Sequence, residues 1–530
     1  AGSAVINLGA TSVTFANTAT VGGTSTGAIT LGDTTLANGV TLTVGTGRGN
    51  AITLNAVSGT AGGSTSNLTL NSTGALNLSD TLGTDLGTVT ITQSAGVTFS
   101  TISIATVALT DTSGDVTFNG NVTLTSLTTA SQDYNVIFNG SSNTITNAVT
   151  FSNSGTLTFG NGSGDSSTFN AGLTTTAPSQ INIGGTLQTS NDEMSLGDSD
   201  TAIVLVANSV LNTGSAALTV NATVNGGYTL TLNSTDATTF AGVVGGSTAL
   251  TGINTNASGT VVFNTTAIET NGDQLYRENA TIGGDITFTT GNNDLTFPGT
   301  VNSVSSTKTL DIVAGSGDVT FSGTVGGSEA LGNTTIGVAG LTVGAIKVQG
   351  TLGITNSAAS SITGIISNGD SAAILTKAGA GTLTLSGDNT YTGATTVSAG
   401  VLAITHADAL GGTSGATTVA DGAYLKLSNG INVAEAITIS GTGISNSGVI
   451  QSNSGDNTLS GQITLAAHSA IYSYSGTLTL DVSSSSSITA SDKNITFGGS
   501  GNITVEDPIA TGSGTLYKGG SGTLTLSAAN

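Results

Sequence analysis

The sequence predicts an all-β protein built as a parallel β-solenoid, with about 20 residues in each coil and almost no α-helix. Three observations support this prediction. Short segments of alternating apolar and polar residues recur along the chain, the composition suits strands and tight turns, and internal repeats share one spacing. Together they indicate one long repetitive body rather than several ordinary domains.

The strand prediction rests on short segments in which apolar and polar residues alternate. Typical examples are AITLNAV at 51–57, TLTLNST at 229–235 and DITFTT at 285–290. Each is bounded by Gly, Asn, Ser or Asp, which favour turns. We find no long window with the 3.6-residue apolar spacing of an amphipathic helix, so we expect almost no helix.

The composition supports the same fold. The chain of 530 residues has 78 Gly and 3 Pro, and only 7% of its residues are charged. Thr, Val and Ile are abundant, and these β-branched residues favour strands. Charge is scarce because like charges stacked in successive coils would repel one another.

The coil length comes from three pairs of matching segments. They lie at 239–250 and 320–331, at 113–122 and 316–325, and at 379–386 and 520–527. Their offsets of 81, 203 and 141 residues are close to multiples of 20, the length that a three-sided coil of a β-solenoid requires. We therefore expect one continuous rod, with a repetitive solenoid over residues 1–373 that continues over 374–530 without a firm boundary.

The charge and the cysteine content exclude several classes of function. The net charge is −22, and the 8 Lys and Arg residues are scattered singly, so the chain lacks the basic cluster that binds nucleic acid or an anionic membrane surface. With 0 Cys there are no disulfides and no thiolate metal sites. The longest apolar run, 202–207, is far shorter than the roughly 20 residues that span a membrane.

One segment resembles a known family. GAGTLTLSGDNTYTGATTVSAGVLAITHADALGG at 379–412 is similar to the autotransporter-associated β-strand repeat of Gram-negative passenger regions, and the motif restarts at 516–530. Region 113–350 resembles, more loosely, the repetitive segments of giant bacterial surface adhesins. The positions that carry the repeat include Gly381, Leu383, Leu385, Gly387, Asn389, Tyr391, Gly393, Val397, Gly400 and Leu402.

The resemblance implies a right-handed parallel β-helix that is exported to the cell surface, either outer membrane associated or extracellular. The sequence begins at Ala1 without an initiator Met or a signal peptide. We therefore expect a processed product or a piece of a longer protein.

Within the repeat, Leu383 and Leu385 are predicted to face inward, and Gly387-Asp388-Asn389 is predicted to form a corner. In the second copy, Ala528 replaces Asp388 whereas Asn530 retains Asn389. We infer that the carboxylate is dispensable and that the Asn serves the turn.

Few residues suggest specific chemistry. The densest acidic group is Asp192, Glu193, Asp198 and Asp200, which would form a calcium site or a carboxylate pair, although a solvated loop between coils is the favoured interpretation. No other cofactor is expected. We predict no catalytic residues.

Two other residue types deserve a reading. His406 and His468 are interpreted as surface residues. Tyr472 and Tyr474 lie two apart on one strand face, as a contact for a sugar or a partner or, more simply, as a local aromatic ladder.

The sequence therefore favours a non-enzymatic extracellular structural protein, such as a stalk, an adhesin shaft or a subunit of a fibre or surface layer. Its expected partners are further copies of itself, through end-to-end or lateral assembly, or neighbouring cells and surface glycans. The alternatives are an adhesin with a defined host or glycan site and a polysaccharide-acting β-helix enzyme.

Overall fold

The protein is a parallel β-solenoid in a computed structural model that describes residues 2–483 and 485–528. Roughly 22 residues form each turn, with about 24 turns in all, so the predicted fold class is confirmed and the turns are slightly longer than predicted. Contacts divide the chain into two compact units, Ala1–Val262 and Phe263–Asn530. The expected boundary near residue 373 stays a prediction, and Asn530 lies outside the described residues.

The strands are short, mostly three to five residues. In the first unit they are Ile6–Leu8, Val13–Phe15, Ala19–Val21, Ile29–Leu31, Thr34–Leu36, Thr41–Arg48, Ile52–Leu54, Val57–Gly59, Ser66–Ser72, Leu76–Leu78, Leu86–Gln93, Val97–Phe99, Ile102–Leu109, Val116–Phe118, Val122–Thr128, Val136–Phe138, Ser142–Ile145, Val149–Thr150, Thr156–Phe159, Ser166–Phe169, Leu173–Thr175, Gln180–Thr189, Met194–Leu196, Ala202–Gly214, Leu218–Val220, Thr223–Asn225, Thr229–Ser234, Ala237–Phe240 and Gly252–Thr255.

The strand Thr260–Phe263 contains the division between the units. In the second unit the strands are Ala267–Glu269, Gln274–Leu275, Asn279–Ile282, Ile286–Thr289, Leu295–Phe297, Val301–Ser303, Leu310–Val313, Val319–Phe321, Thr334–Val338, Leu341–Val343, Ile346–Asn356, Ser360–Ile362, Ile366–Ala378, Thr382–Leu385, Thr395–Val397, Gly400–Ile404, Thr417–Val419, Ala423–Leu427, Asn432–Val433, Ile437–Gly441, Ile450–Ser452, Asn457–Leu459, Ile463–Ser473, Thr477–Leu480, Ile488–Ala490, Ile495–Gly498, Asn502–Val505, Ile509–Ala510, Leu516–Lys518 and Leu524–Leu526.

Helix is nearly absent, as predicted. Within residues 2–483 and 485–528 the helical elements reduce to one 3₁₀ turn, Ile444–Asn446. That part of the chain contains no helix long and apolar enough to cross a membrane.

The core of the first unit shows how turns stack. Phe99, Phe118, Phe138 and Phe159 pair in register on successive parallel strands. The first two rings are stacked with centroids 4.8 Å apart and planes inclined by 8°, and the next two centroids lie 4.9 Å apart. All four side chains are buried. Each apolar residue therefore packs on its counterpart one turn away, and this repeats at the spacing between hydrogen-bonded strands.

The second unit contains an aliphatic ladder of the same kind. Leu383 pairs with Leu402, and the ladder continues through Leu425 and Ile450. These four residues and Leu385 are fully buried. The prediction that Leu383 and Leu385 face inward is confirmed.

The matching segments at 379–386 and 520–527 are not separated by whole turns. Leu385 belongs to a ladder that continues through Ile404 and Leu427. Leu526 belongs to another ladder, which contains Val505 and Leu480. Because every side of the solenoid requires the same alternation, one motif fits more than one side, and the offset of 141 residues does not measure seven coils.

The corner at 387–389 has the predicted construction. Asn389 is only 3% exposed; its Oδ1 accepts the Ile366 N–H at 2.8 Å and its Nδ2 donates to the Ala409 carbonyl at 2.6 Å. It thus satisfies backbone groups of the turns on both sides. Asp388 is exposed. The side chain at 389 therefore serves the turn, while the carboxylate at 388 lies outside.

The glycines of the repeat allow close approach between turns. A Cβ atom at Gly381, Gly387, Gly393 or Gly400 would lie 2.1–2.3 Å from a backbone oxygen of the preceding turn, closer than any real contact. Gly400 also has a φ of +68°, which side-chain-bearing residues rarely adopt. The remaining repeat positions, Tyr391 and Val397, are fully buried.

These contacts generate a stability prediction for two neighbouring residues. We expect Asn389→Ala to lower the free energy of unfolding by about 2–4 kcal/mol, because it leaves the Ile366 N–H and the Ala409 carbonyl buried without partners. We expect Asp388→Ala to change it by less than about 0.5 kcal/mol. Urea unfolding followed by far-ultraviolet circular dichroism measures both, and equal effects of the two changes would contradict this account.

Candidate functional site

The predicted acidic group is divided between two corners of the first unit. Asp192 and Glu193 precede the strand Met194–Leu196, whereas Asp198 and Asp200 follow it. Asp192 and Glu193 line an open cleft of about 440 Å³ beside Asn191. The buried strand thus separates the two pairs of carboxylates.

Asp198 has a structural partner set of its own. One carboxylate oxygen accepts the Thr201 hydroxyl at 2.9 Å, the Asp200 N–H at 3.0 Å and the Thr201 N–H at 3.1 Å. These bonds, with the Thr201 hydroxyl first, hold the pKa of Asp198 below its usual range. Asp198 therefore stabilises its own turn. Calcium binding by this group, and its use as a catalytic carboxylate pair, stay predictions.

A second cluster escaped sequence reasoning. Ligand atoms of Asp388, His406 and Asp408 all lie within 4.8 Å of one another, the one group of three or more such residues found in the described part of the chain. Asp388 follows the strand Thr382–Leu385, and His406 and Asp408 follow its neighbour Gly400–Ile404. Stacking of successive turns brings together residues that are about 20 positions apart.

The chemistry of this cluster favours a surface ion pair over a metal centre. His406 Nδ1 lies 3.8 Å from an Asp408 carboxylate oxygen, and both side chains are well exposed. The same Nδ1 accepts the Asp408 N–H at 3.1 Å, so its lone pair is already engaged. A divalent cation bound through this nitrogen would have to break that hydrogen bond. The interpretation of His406 as a surface residue agrees with its exposure.

A lysine recurs in both copies of the repeat, and sequence reasoning overlooked it. Lys377 stands before GAGTLTL and Lys518 before GSGTLTL. The buried Lys377 ammonium donates to the carbonyls of Ala378, Gly379 and Ala399 at 2.7, 2.9 and 3.2 Å. Burial lowers its pKa to about 8. Lys518 donates to the two equivalent carbonyls that follow it, so this lysine closes a corner.

Two tyrosines form an aromatic contact at the surface. The ring centroids of Tyr472 and Tyr474 lie 6.2 Å apart with planes inclined by 62°. Tyr472 lies so close over Gly498 that a Cβ there would be 2.6 Å from its ring. The Tyr474 hydroxyl donates to the Ser447 carbonyl at 2.9 Å, and the residue is 38% exposed. This fixed, partly exposed ring is the feature of the described surface best suited to stack against an apolar face of a ligand.

Comparison with known proteins matches the repeat. A family model described as the Passenger-associated-transport-repeat matches residues 375–404 and 516–530. These residues include the lysines, the inward leucines of the first copy and the corner at Asn389. The predicted autotransporter-associated repeat is thereby confirmed.

A curated relative is similar over a limited stretch. The chain is 38% identical over 106 residues to the adhesin BmaC autotransporter of Brucella suis biovar 1 (strain 1330). The match covers 19% of this chain and 3% of the relative, so the chain spans a small part of that protein's length. No solved structure matches the chain. The protein is thus a β-solenoid that carries repeats of the autotransporter passenger type and is similar, in part, to an autotransporter adhesin.

Proposed function

We propose that this chain is a non-enzymatic structural segment of an adhesin displayed on the surface of a Gram-negative bacterium. The observation that carries the proposal is the match of the passenger repeat to residues 375–404, whose apolar positions form a continuous buried ladder. Residues of this motif maintain the solenoid, since they fill its interior and its corners. Their role is to extend and stiffen a body that presents its outer surface to other cells.

Two further observations support a structural role. The acidic residues that sequence reasoning selected as an enzyme's carboxylates occupy separate corners of the first unit, whereas glycan hydrolysis requires a converging pair. The excess of negative charge keeps a surface rich in β-structure soluble.

A specific glycan or host contact is the second candidate function, and the Tyr472–Tyr474 contact favours it. Tyrosine rings bind the apolar faces of ligands and keep a hydroxyl for hydrogen bonding. Tyr474 is held in place by Ser447 and keeps part of its ring exposed, so the cost of ordering it is already met before binding.

Surface display tests both functions. Bacteria that display this chain through a heterologous translocator should adhere to epithelial cells several-fold more than bacteria that display an unrelated β-solenoid. Equal adherence would reject the adhesin proposal.

The same assay separates a defined site from a diffuse surface. If Tyr474 contributes to a defined site, Tyr474→Ala should lower adherence at least threefold, whereas Tyr228→Ala, which removes a tyrosine of similar exposure in the first unit, should not. Loss in neither variant would favour the purely structural role.

Self-association is the remaining part of the proposal. The terminal turn of a parallel β-solenoid presents unpaired backbone groups, which pair with further strands. We expect the purified chain to form larger, elongated species as its concentration rises in sedimentation velocity experiments. A single monomeric species over a hundredfold range of concentration would contradict assembly between copies.

A further inference from the structure

A glutamate occupies the interior of the second unit. Glu435, just before the strand Ile437–Gly441, is only 3% exposed. One of its carboxylate oxygens accepts the Thr417 hydroxyl at 2.7 Å. The other is buried and has no hydrogen-bond partner among the described residues. An ionised carboxylate in this position would carry an unsatisfied buried charge.

The turns on both sides confine this side chain. Thr417 stacks in register between Thr395 and Ile437. Thr395 shares a 2.6 Å hydrogen bond with the hydroxyl of the fully buried Tyr391. On the other side, a Cβ at Gly461 would lie 2.0 Å from the Glu435 carbonyl oxygen. The carboxyl group therefore belongs to a closed row of buried polar groups that spans several turns.

No cation on the neighbouring turns compensates a charge on Glu435. Lys377 belongs to the column that continues through Val397, so it lies at the opposite end of these strands, and its ammonium binds backbone carbonyls. His468 is exposed, and its Nδ1 accepts the Asn494 N–H. The ionisable group that faces Glu435 is the Tyr391 phenol, and the negative charge of Glu435 adds to burial in raising the pKa of that phenol.

We propose that Glu435 is a proton-operated stabiliser of the second unit, which keeps the turns around it closed when protonated and lets them open when ionised. The neutral acid needs fewer partners than the carboxylate and fits the apolar interior. Ionisation leaves one charged oxygen without a donor, and opening of the adjacent turns brings that oxygen into water.

The direction of the pH dependence follows from linkage. Burial raises the pKa of Glu435 from 4.5 to about 7, and the Thr417 hydrogen bond opposes part of that shift. Between these two values the native state binds more protons than the open state. Glu435 therefore contributes stability below about pH 4.5, and this contribution is lost as the pH rises to about 7.

Hydrogen exchange of the full chain tests the proposal. Protection factors, which remove the intrinsic pH dependence of exchange, would be compared at pH 5 and pH 8 for Thr417–Val419, Ile437–Gly441 and Ile463–Ser473. We expect the opening constant of these strands to be on the order of 50-fold larger at pH 8. The strand Val116–Phe118 of the first unit serves as an internal reference and should change less than threefold.

Two variants identify the responsible group. Glu435→Gln should abolish most of the pH difference in these strands, whereas Glu506→Gln, which alters an exposed glutamate of the same unit, should preserve it. An unchanged pH difference in Glu435→Gln would overturn the proposal. Carbon NMR titration of the Glu435 carboxyl in the unaltered chain provides a second measurement: a pKa of 6–8 supports the proposal and a pKa below 5.5 overturns it.

Discussion

The parallel, in-register pairing of each turn with the next is the interaction on which the rest of the structure depends. It satisfies the backbone groups of short strands that would not be stable alone. It also places every inward side chain against its counterpart one turn away. The Phe99–Phe118–Phe138 stack and the Leu383–Leu402–Leu425 ladder are two solutions to that requirement, one aromatic and one aliphatic.

The same constraint explains the positions at which the interior becomes polar. A charged group in a ladder must find partners within its own turn or the adjacent turns. Lys377 does so with three backbone carbonyls, while Glu435 finds one hydroxyl for two oxygens. A cation with enough acceptors closes a corner, and an acid with too few donors responds to pH.

Sequence reasoning could predict the fold because alternation, glycine and asparagine report local geometry. Leu383, Leu385 and the Asn389 corner follow from such local patterns. Contacts made by stacking were not predictable, because they join residues about 20 positions apart through corners of variable length. Asp388 and His406 therefore meet unexpectedly, while Asp192 and Asp198, which are close in sequence, lie on separate corners. The offset of 141 residues misled for a related reason, since the motif does not specify which side of the solenoid it occupies.

The central claim is register: residue 117 should lie against residue 137 of the next turn, and not against residue 158 of the turn after it. The chain has 0 Cys, so pairs of engineered cysteines provide a direct test. We predict that Thr117→Cys with Ile137→Cys forms a disulfide under mild oxidation, because paired Cα atoms lie about 4.8 Å apart. Thr117→Cys with Thr158→Cys, about 9.6 Å apart, should not form one. Equal disulfide formation in the two double variants, or none in the first, would contradict in-register stacking.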